Sequence, residues 1–94
     1  MMGRKARLRP KRLAEKLRQI RLGLKLSQTE MLRRLGFEDT MHYSRISEYE
    51  LGKNEPPLPI LFEYAQAAGI CSDVLLDDKQ DLPDKLPAKP KHKS

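Results

Sequence analysis

The stretch Ser-Gln-Thr-Glu-Met-Leu-Arg-Arg-Leu-Gly, residues 27–36, decides how this chain folds. Ser27 can cap a helix by accepting a hydrogen bond from the backbone N–H of Glu30, whose carboxylate can reach back to the Ser27 N–H. Gly36 then ends the pattern, because a residue without Cβ readily adopts the left-handed conformation that closes a helix. The spacing predicts a short helix over 28–35. Its apolar positions are Met31, Leu32 and Leu35.

A second short helix is predicted in the stretch Tyr-Ser-Arg-Ile-Ser-Glu-Tyr-Glu-Leu-Gly, residues 43–52. Ile46 and Tyr49 are three positions apart and share one face, so we expect both in the core. Gly52 can adopt the left-handed conformation that ends this second helix. Two short capped helices joined by a turn are the pattern of a helix-turn-helix motif.

The segment 37–42 between these helices is compatible with two structures. Asp39 or Thr40 can cap an early start of the third helix, or the same residues can form a longer turn. The sequence leaves both possibilities open.

Helical periodicity also precedes this stretch. Pro10 suits the first position of a helix, where its missing N–H has no partner to lose, and Gly23 marks the end. The predicted core positions of this first helix are Leu13, Ala14, Leu17 and Ile20. The positions predicted to lie outside include Arg12, Glu15, Lys16 and Arg18.

Two further helices are predicted after the Pro-containing turn at 53–57. The fourth runs over 58–68, with Gly69 as its C-cap, and the short fifth runs over 73–76, capped by Ser72. The side chains of the fourth helix that we expect in the core are Leu61, Phe62, Ala65 and Ala68.

Length and composition allow one small all-α domain over 10–78, between a flexible basic arm at 1–9 and a disordered Pro/Lys-rich tail at 79–94.

The single cysteine, Cys71, excludes an intrachain disulfide and a cysteine-cluster zinc site, and favours a reducing cytoplasm. The chain has no apolar run of about 18 residues that could cross a membrane. No phosphate loop, paired histidines or nucleophile with a base partner is present, so we expect no enzyme activity, cofactor or metal.

The net charge of +6 is unevenly distributed. Residues 1–25 carry ten Lys or Arg and one Glu, and residues 79–94 carry five Lys and two Asp. The middle, 26–78, carries four Lys or Arg against ten Asp or Glu. The ends therefore favour a polyanionic partner, and the middle mildly opposes one.

The chain resembles the phage repressor/Cro type of helix-turn-helix domain. The resemblance rests on Leu-Ser-Gln-x-Glu at 26–30, Leu-Gly at 35–36 and Ile-Ser-x-Tyr-Glu-x-Gly-Lys-x-Glu-Pro at 46–56, and it extends over roughly residues 11–78. It implies a compact five-helix domain whose third helix enters the major groove of duplex DNA. The chain has several more residues between Gly36 and Ile46 than the family's usual spacing.

The resemblance also implies roles for individual residues. Its base-reading positions fall on Tyr43, Ser44 and Glu48, its phosphate-contacting glutamine falls on Gln28, and its structural ion pair falls on Arg21 and Glu50. From their chemistry and location, we expect further phosphate contacts from Thr29, Arg45, Lys53 and Asn54, and from the arm residues Arg4, Lys5, Arg7 and Arg9.

These patterns predict a sequence-specific, cytoplasmic transcriptional regulator of the repressor kind that binds double-stranded DNA as a homodimer. Candidate dimer surfaces comprise Val74, Leu75 and Leu76 of the fifth helix and, as exposed residues of the fourth, Ile60 and Tyr64; the same residues can instead close the core. The alternative is a protein-interaction module, such as an antitoxin or adaptor, with a partner on the acidic middle or the C-terminal tail. RNA binding is disfavoured because the chain lacks an exposed aromatic platform.

Overall fold

The computed structural model describes residues 10–87, and all regular structure in this part of the chain is α-helical. Five helices follow one another: α1 Leu13–Gly23, α2 Gln28–Leu35, α3 Ser44–Glu50, α4 Leu58–Ala68 and α5 Ser72–Leu76. α1 packs against α3, α4 and α5, while α2 packs against α3 and α4. The predicted all-α, five-helix architecture is therefore confirmed.

One hydrophobic core joins the five helices. Its fully buried side chains include Leu17 and Ile20 of α1, Met31 of α2, Ile46 of α3, Tyr64 of α4 and Leu75 of α5. Every helix thus contributes at least one side chain to the same core. Because interiors are close-packed, the orientation of each helix is constrained by the helices that it contacts.

The first helix begins at Leu13, later than the prediction that placed Pro10 in its first turn. The backbone N–H groups of Lys11 and Arg12 donate to the two carboxylate oxygens of Asp78, at 2.8 and 3.0 Å. Since Asp78 lies 66 residues after Arg12, this cap is a tertiary contact that local sequence cannot reveal.

Lys16 was predicted to lie outside, and the structure places it in the core with no solvent exposure. Its Nζ donates to the backbone carbonyls of Val74 at 2.6 Å and Asp77 at 2.9 Å, at the C-terminal end of α5. A cation is favoured at that end of a helix, where carbonyls lack intrahelical partners. Burial is the main cause that lowers the pKa of the Lys16 ammonium.

Gly23 does end α1, but it is Lys25, with φ 62°, that adopts the left-handed conformation after the helix. The absence of a side chain at Gly23 serves a different purpose. A Cβ there would lie 3.0 Å from Cδ1 of Leu86, so the glycine leaves room for the C-terminal segment to approach.

The loop between α2 and α3 takes the longer-turn alternative. The backbone carbonyl of Phe37 accepts hydrogen bonds from the N–H groups of Thr40 and Met41, so residues 37–41 form a compact turn. The helix α3 begins only at Ser44. Phe37 and Met41 pack against the core, so the additional residues are anchored.

The buried face of α4 is rotated relative to the prediction. Phe62 was expected in the core and is 54% exposed, whereas Ile60 and Tyr64 were candidates for an exposed surface and are buried. The reason is that α4 contacts α1, α2 and α5 and therefore buries a wide stripe. That stripe consists of Ile60, Leu61, Tyr64, Ala65 and Ala68.

The last helix begins at Ser72, so Cys71, and not Ser72 as predicted, occupies the N-cap position. Val74 and Leu75 are buried and close the core, which removes them from the candidate dimer surface, while Leu76 remains 39% exposed.

The segment 79–87 was expected to belong to a disordered tail, and the structure instead packs it along α1. Asp81 accepts from the Arg12 guanidinium at 2.8 Å, and Leu82 and Leu86 rest against the core. The remaining tail residues, 88–94, and the arm, 1–9, lie outside the described residues.

Candidate nucleic-acid interface

The N-terminus of α2 has the predicted capping box. The Ser27 hydroxyl accepts from the Glu30 N–H at 3.0 Å, and the Glu30 carboxylate accepts from the Ser27 N–H at 2.8 Å. The latter bond is the main reason that the pKa of Glu30 lies below its usual range. Together these bonds hold the first turn of α2 in place, with Thr29 exposed.

An ion pair links α1 to the end of α3. Arg21 Nε and Nη2 contact Glu50 Oε2 and Oε1 at 2.6 and 3.0 Å, so the guanidinium and carboxylate meet through two hydrogen bonds. Arg21 also donates to the carbonyl of Leu26 at 3.0 Å. The Glu50 side chain is only 4% exposed, and its hydrogen bonds raise the pKa of Arg21. The partners implied by the resemblance are therefore in contact.

Gln28 joins this network from the first turn of α2. Its side-chain amide donates to Glu50 Oε1 at 3.5 Å, and the residue is half-buried. The amide therefore lies at the seam between α2 and α3, beside the backbone N–H groups that start α2.

The start of α3 is built around His42. The backbone N–H of Ser44 donates to His42 Nδ1 at 3.2 Å, and the Ser44 hydroxyl lies 3.0 Å from the same nitrogen. The His42 ring also stacks on Tyr43, with ring centroids 4.4 Å apart and planes inclined by 30°. Tyr43 is 48% exposed, so it extends from the protein surface at the beginning of the helix.

The outer face of α3 contains a compact polar cluster. Asn54 Nδ2 donates to Glu48 Oε1 at 2.7 Å, and Arg45 Nε lies 3.9 Å from the same oxygen. Glu48 therefore has both a hydrogen-bond donor and a cation beside it. Lys53, which follows Gly52 (φ 76°), is exposed at the end of the helix.

The structure thus brings most of the predicted site residues to one region. Gln28 and Thr29 lie at the start of α2, Tyr43 and Ser44 at the start of α3, and Arg45, Glu48, Lys53 and Asn54 along and after α3. Arg4, Lys5, Arg7 and Arg9 fall outside the described residues. Pro10, the first described residue, lines a surface groove together with Gly52 and Asn54. The described part of the chain therefore begins beside the end of α3.

The basic residues of α1 contribute less to this surface than the sequence suggests. Arg12 is bonded to Asp78 and Asp81, Lys16 is buried against α5, and Arg21 is paired with Glu50. Of the six cations in the described residues 10–25, these three are thus bonded within the domain.

Sequence reasoning missed His42. The only available signal is its place two residues before Ser44, because a short polar group at that distance can accept from the backbone N–H at a helix start. Histidine is an unusual residue in that role, so the pattern has little predictive weight.

In residues 10–87, no helix has the length and hydrophobicity to span a membrane. The same residues contain no group of three or more His, Cys, Asp or Glu placed to hold a metal ion.

The contact between α2 and α3, the capped start of α2 and the turn that joins them define a helix-turn-helix protein. A family model described as helix-turn-helix matches residues 17–75, more than half of the chain. The chain belongs to the repressor/Cro type of this family, which comprises DNA-binding regulators of transcription and is not an enzyme family. No curated protein and no solved structure matches the chain.

Proposed function

We propose that this chain is a sequence-specific, repressor-like regulator that inserts α3 into the major groove of double-stranded DNA. The anchoring of α3 carries the proposal. Ile46 and Tyr49 are buried on its inner face, and Glu50 ties its end to α1. A helix held in this way presents its other face rigidly, as base recognition requires.

Three residues read bases in this proposal. Tyr43 meets a thymine methyl group with its ring, and Ser44 hydrogen-bonds a base edge. Both contacts of Glu48 with Asn54 and Arg45 fall on Oε1, so Oε2 is the oxygen that accepts from cytosine N4. Asn54 accordingly positions Glu48 in addition to its expected phosphate contact.

The flanking residues position the helix on the DNA backbone. The start of α2, with its N–H groups and the Gln28 amide, binds one phosphate, and Thr29 adds a hydroxyl. Arg45 and Lys53 contact phosphates at the rims of the groove. These contacts determine orientation and carry no sequence information.

The arm supplies non-specific affinity in this proposal. Arg4, Lys5, Arg7 and Arg9 precede Pro10, which lies beside the end of α3. Because Arg12, Lys16 and Arg21 are bonded within the domain, the arm adds positive charge that these three residues do not offer to DNA.

We further propose that the regulator acts as a homodimer in the cytoplasm. Leu58, Phe62 and Leu76 are 73%, 54% and 39% exposed, and Leu58 and Leu76 line one groove. These side chains replace Ile60, Tyr64, Val74 and Leu75 as the candidate dimer surface. Two domains related by a two-fold axis would read half-sites about 34 Å apart.

The alternative, a protein-interaction module, has less support. Its acidic surface includes Glu38 and Glu48, but Arg33 lies 4.0 Å from Glu38, and Arg45 accompanies Glu48. A tail-mediated partner would also have to compete with the packing of Leu82 and Leu86 on the domain.

The test is the double variant Tyr43→Ala/Ser44→Ala, compared with the parent on the duplex that the parent selects from a random pool and on a scrambled duplex. The variant should retain its thermal unfolding transition, since both residues lie outside the core, but lose its preference for the selected duplex. Thr40→Ala, in the neighbouring turn, is the matched control and should keep that preference. A folded double variant that discriminates as well as the parent would refute the assignment of these two residues.

A further inference from the structure

His42 makes four contacts at the start of α3, and the two at Nδ1 determine the tautomer of its ring. The backbone N–H of Ser44 can only donate, and it points at His42 Nδ1 at 3.2 Å. Nδ1 must therefore present its lone pair, and the ring hydrogen is on Nε2. The His42 carbonyl also accepts from the Arg45 N–H at 3.0 Å, so this one residue caps two N–H groups of the first turn.

The same constraint determines the direction of the hydrogen bond with the Ser44 side chain. Ser44 Oγ lies 3.0 Å from Nδ1, and Nδ1 in this tautomer has no hydrogen to donate. The hydroxyl therefore donates its only hydrogen to His42, where it shares the single Nδ1 lone pair with the backbone N–H. Its oxygen lone pairs remain for an outside partner, and they can only accept.

A serine in a major groove is ordinarily ambiguous, because its hydroxyl can donate to or accept from a base. We infer that His42 removes this ambiguity, so that Ser44 acts as an acceptor and selects a base with an exocyclic amino group, adenine through N6 or cytosine through N4. Guanine O6 and thymine O4 are acceptors and are disfavoured at that position. The stacked His42 ring orients Tyr43 in the same turn. This inference rests on the proposed function and adds the chemical class of base that Ser44 reads.

The test is selection from a random duplex pool with the parent, His42→Phe and His42→Asn. Phenylalanine keeps a ring to stack on Tyr43 but has no acceptor, whereas asparagine keeps an acceptor that can reach an N–H two residues later. We expect the parent and His42→Asn to select adenine or cytosine at one position of the site. His42→Phe should lose that preference by about threefold to tenfold, the effect of one hydrogen bond, with other positions unchanged.

Ser44→Ala provides a second, independent arm and should lose preference at the same position. If His42→Phe does not fold, Ser44→Ala alone tests the inference. The base position whose preference disappears in Ser44→Ala must then be one at which the parent selects adenine or cytosine. The inference is overturned if His42→Phe keeps the parental preference, if it weakens all positions equally, or if Ser44→Ala affects a guanine or thymine position. A parent that selects no motif overturns the proposed function as well, whereas a clear parental motif unaffected by His42→Phe overturns this inference alone.

Discussion

Arg21 of α1 and Glu50 at the end of α3 form an ion pair that the Gln28 side chain of α2 joins. The resemblance implied the pair, and the two side chains meet through two hydrogen bonds with the carboxylate almost fully buried. Gln28 donates to the same carboxylate, so the group that orients the end of α3 also organises the start of α2. A structural pair thus lies directly behind the proposed DNA-binding face.

Replacing Glu50 by alanine should lower the free energy of unfolding by up to about 3–5 kcal/mol, because the partly buried Arg21 guanidinium loses its counter-charge. Urea denaturation followed by circular dichroism measures this loss. The matched control is Glu38→Ala, since the pair of Arg33 and Glu38 is exposed and 4.0 Å apart. The control should cost no more than about 1 kcal/mol. Equal losses in the two variants would contradict a structural role specific to Glu50.

Residue-level prediction failed where burial depends on several neighbours at once. Helical spacing predicts Lys16 outside the apolar face of α1, and only its carbonyl partners at the end of α5 make its burial tolerable. Phe62 was placed inside because it is large and apolar, although the phase of α4 is determined by three packing helices. Neither set of partners is local in sequence.

At the scale of elements, local signals predicted α2 and α4 accurately because both have strong boundaries. The capping box begins α2 and Gly36 ends it, and α4 lies between a proline turn and Gly69. The starts of α1 and α5 were less accurate than their ends, and for α1 the reason is a tertiary contact. Asp78, just after α5, holds the N–H groups before α1, and Lys16 of α1 caps the end of α5.

Asp78→Ala should therefore destabilise the fold at neutral pH, as measured by urea denaturation. The bonds from the Arg12 and Lys11 N–H groups lower the pKa of Asp78 in the folded state. A carboxyl with a lowered folded-state pKa contributes stability above its ordinary pKa of about 3.9, and that contribution is lost as the pH falls through the lowered value. The difference between parent and variant should consequently shrink below about pH 4.

Asp84→Ala is the control for this prediction, since Asp84 is an exposed carboxylate of the same C-terminal segment. It should change stability little at either pH. A difference between the parent and Asp78→Ala that stays constant or grows under acid conditions would show that the carboxylate does not act as the charged cap of α1.

At the scale of the whole molecule, the fold redistributes the charge that the sequence displays. Residues 1–25 contain ten cations, but Arg12, Lys16 and Arg21 are bonded within the domain. Composition predicted a polyanionic partner correctly in kind, since the family binds DNA. Composition could not predict which cations are bonded within the domain, because those bonds join residues up to 69 positions apart.

Deleting residues 1–9 should weaken binding to all duplexes and flatten its salt dependence. On B-DNA, each phosphate that the arm neutralises contributes about −0.9 to the slope of log K against log salt. Fluorescence anisotropy at several salt concentrations measures this slope. Deletion of residues 88–94, which removes three lysines from the other end of the chain, is the comparison, and it should flatten the slope less than deletion of the arm does. An unchanged slope without the arm would show that the arm does not contact the DNA backbone.

If this small domain reads DNA sequence through α3, selection from random duplexes should recover a preferred sequence. The full chain is mixed with a pool of random duplexes at two salt concentrations, and the bound fraction is sequenced. We predict a palindromic motif at both concentrations, with half-sites about one helical turn apart, as two symmetry-related domains require. Recovery of no motif above background at either concentration would contradict sequence-specific recognition and favour the protein-interaction alternative.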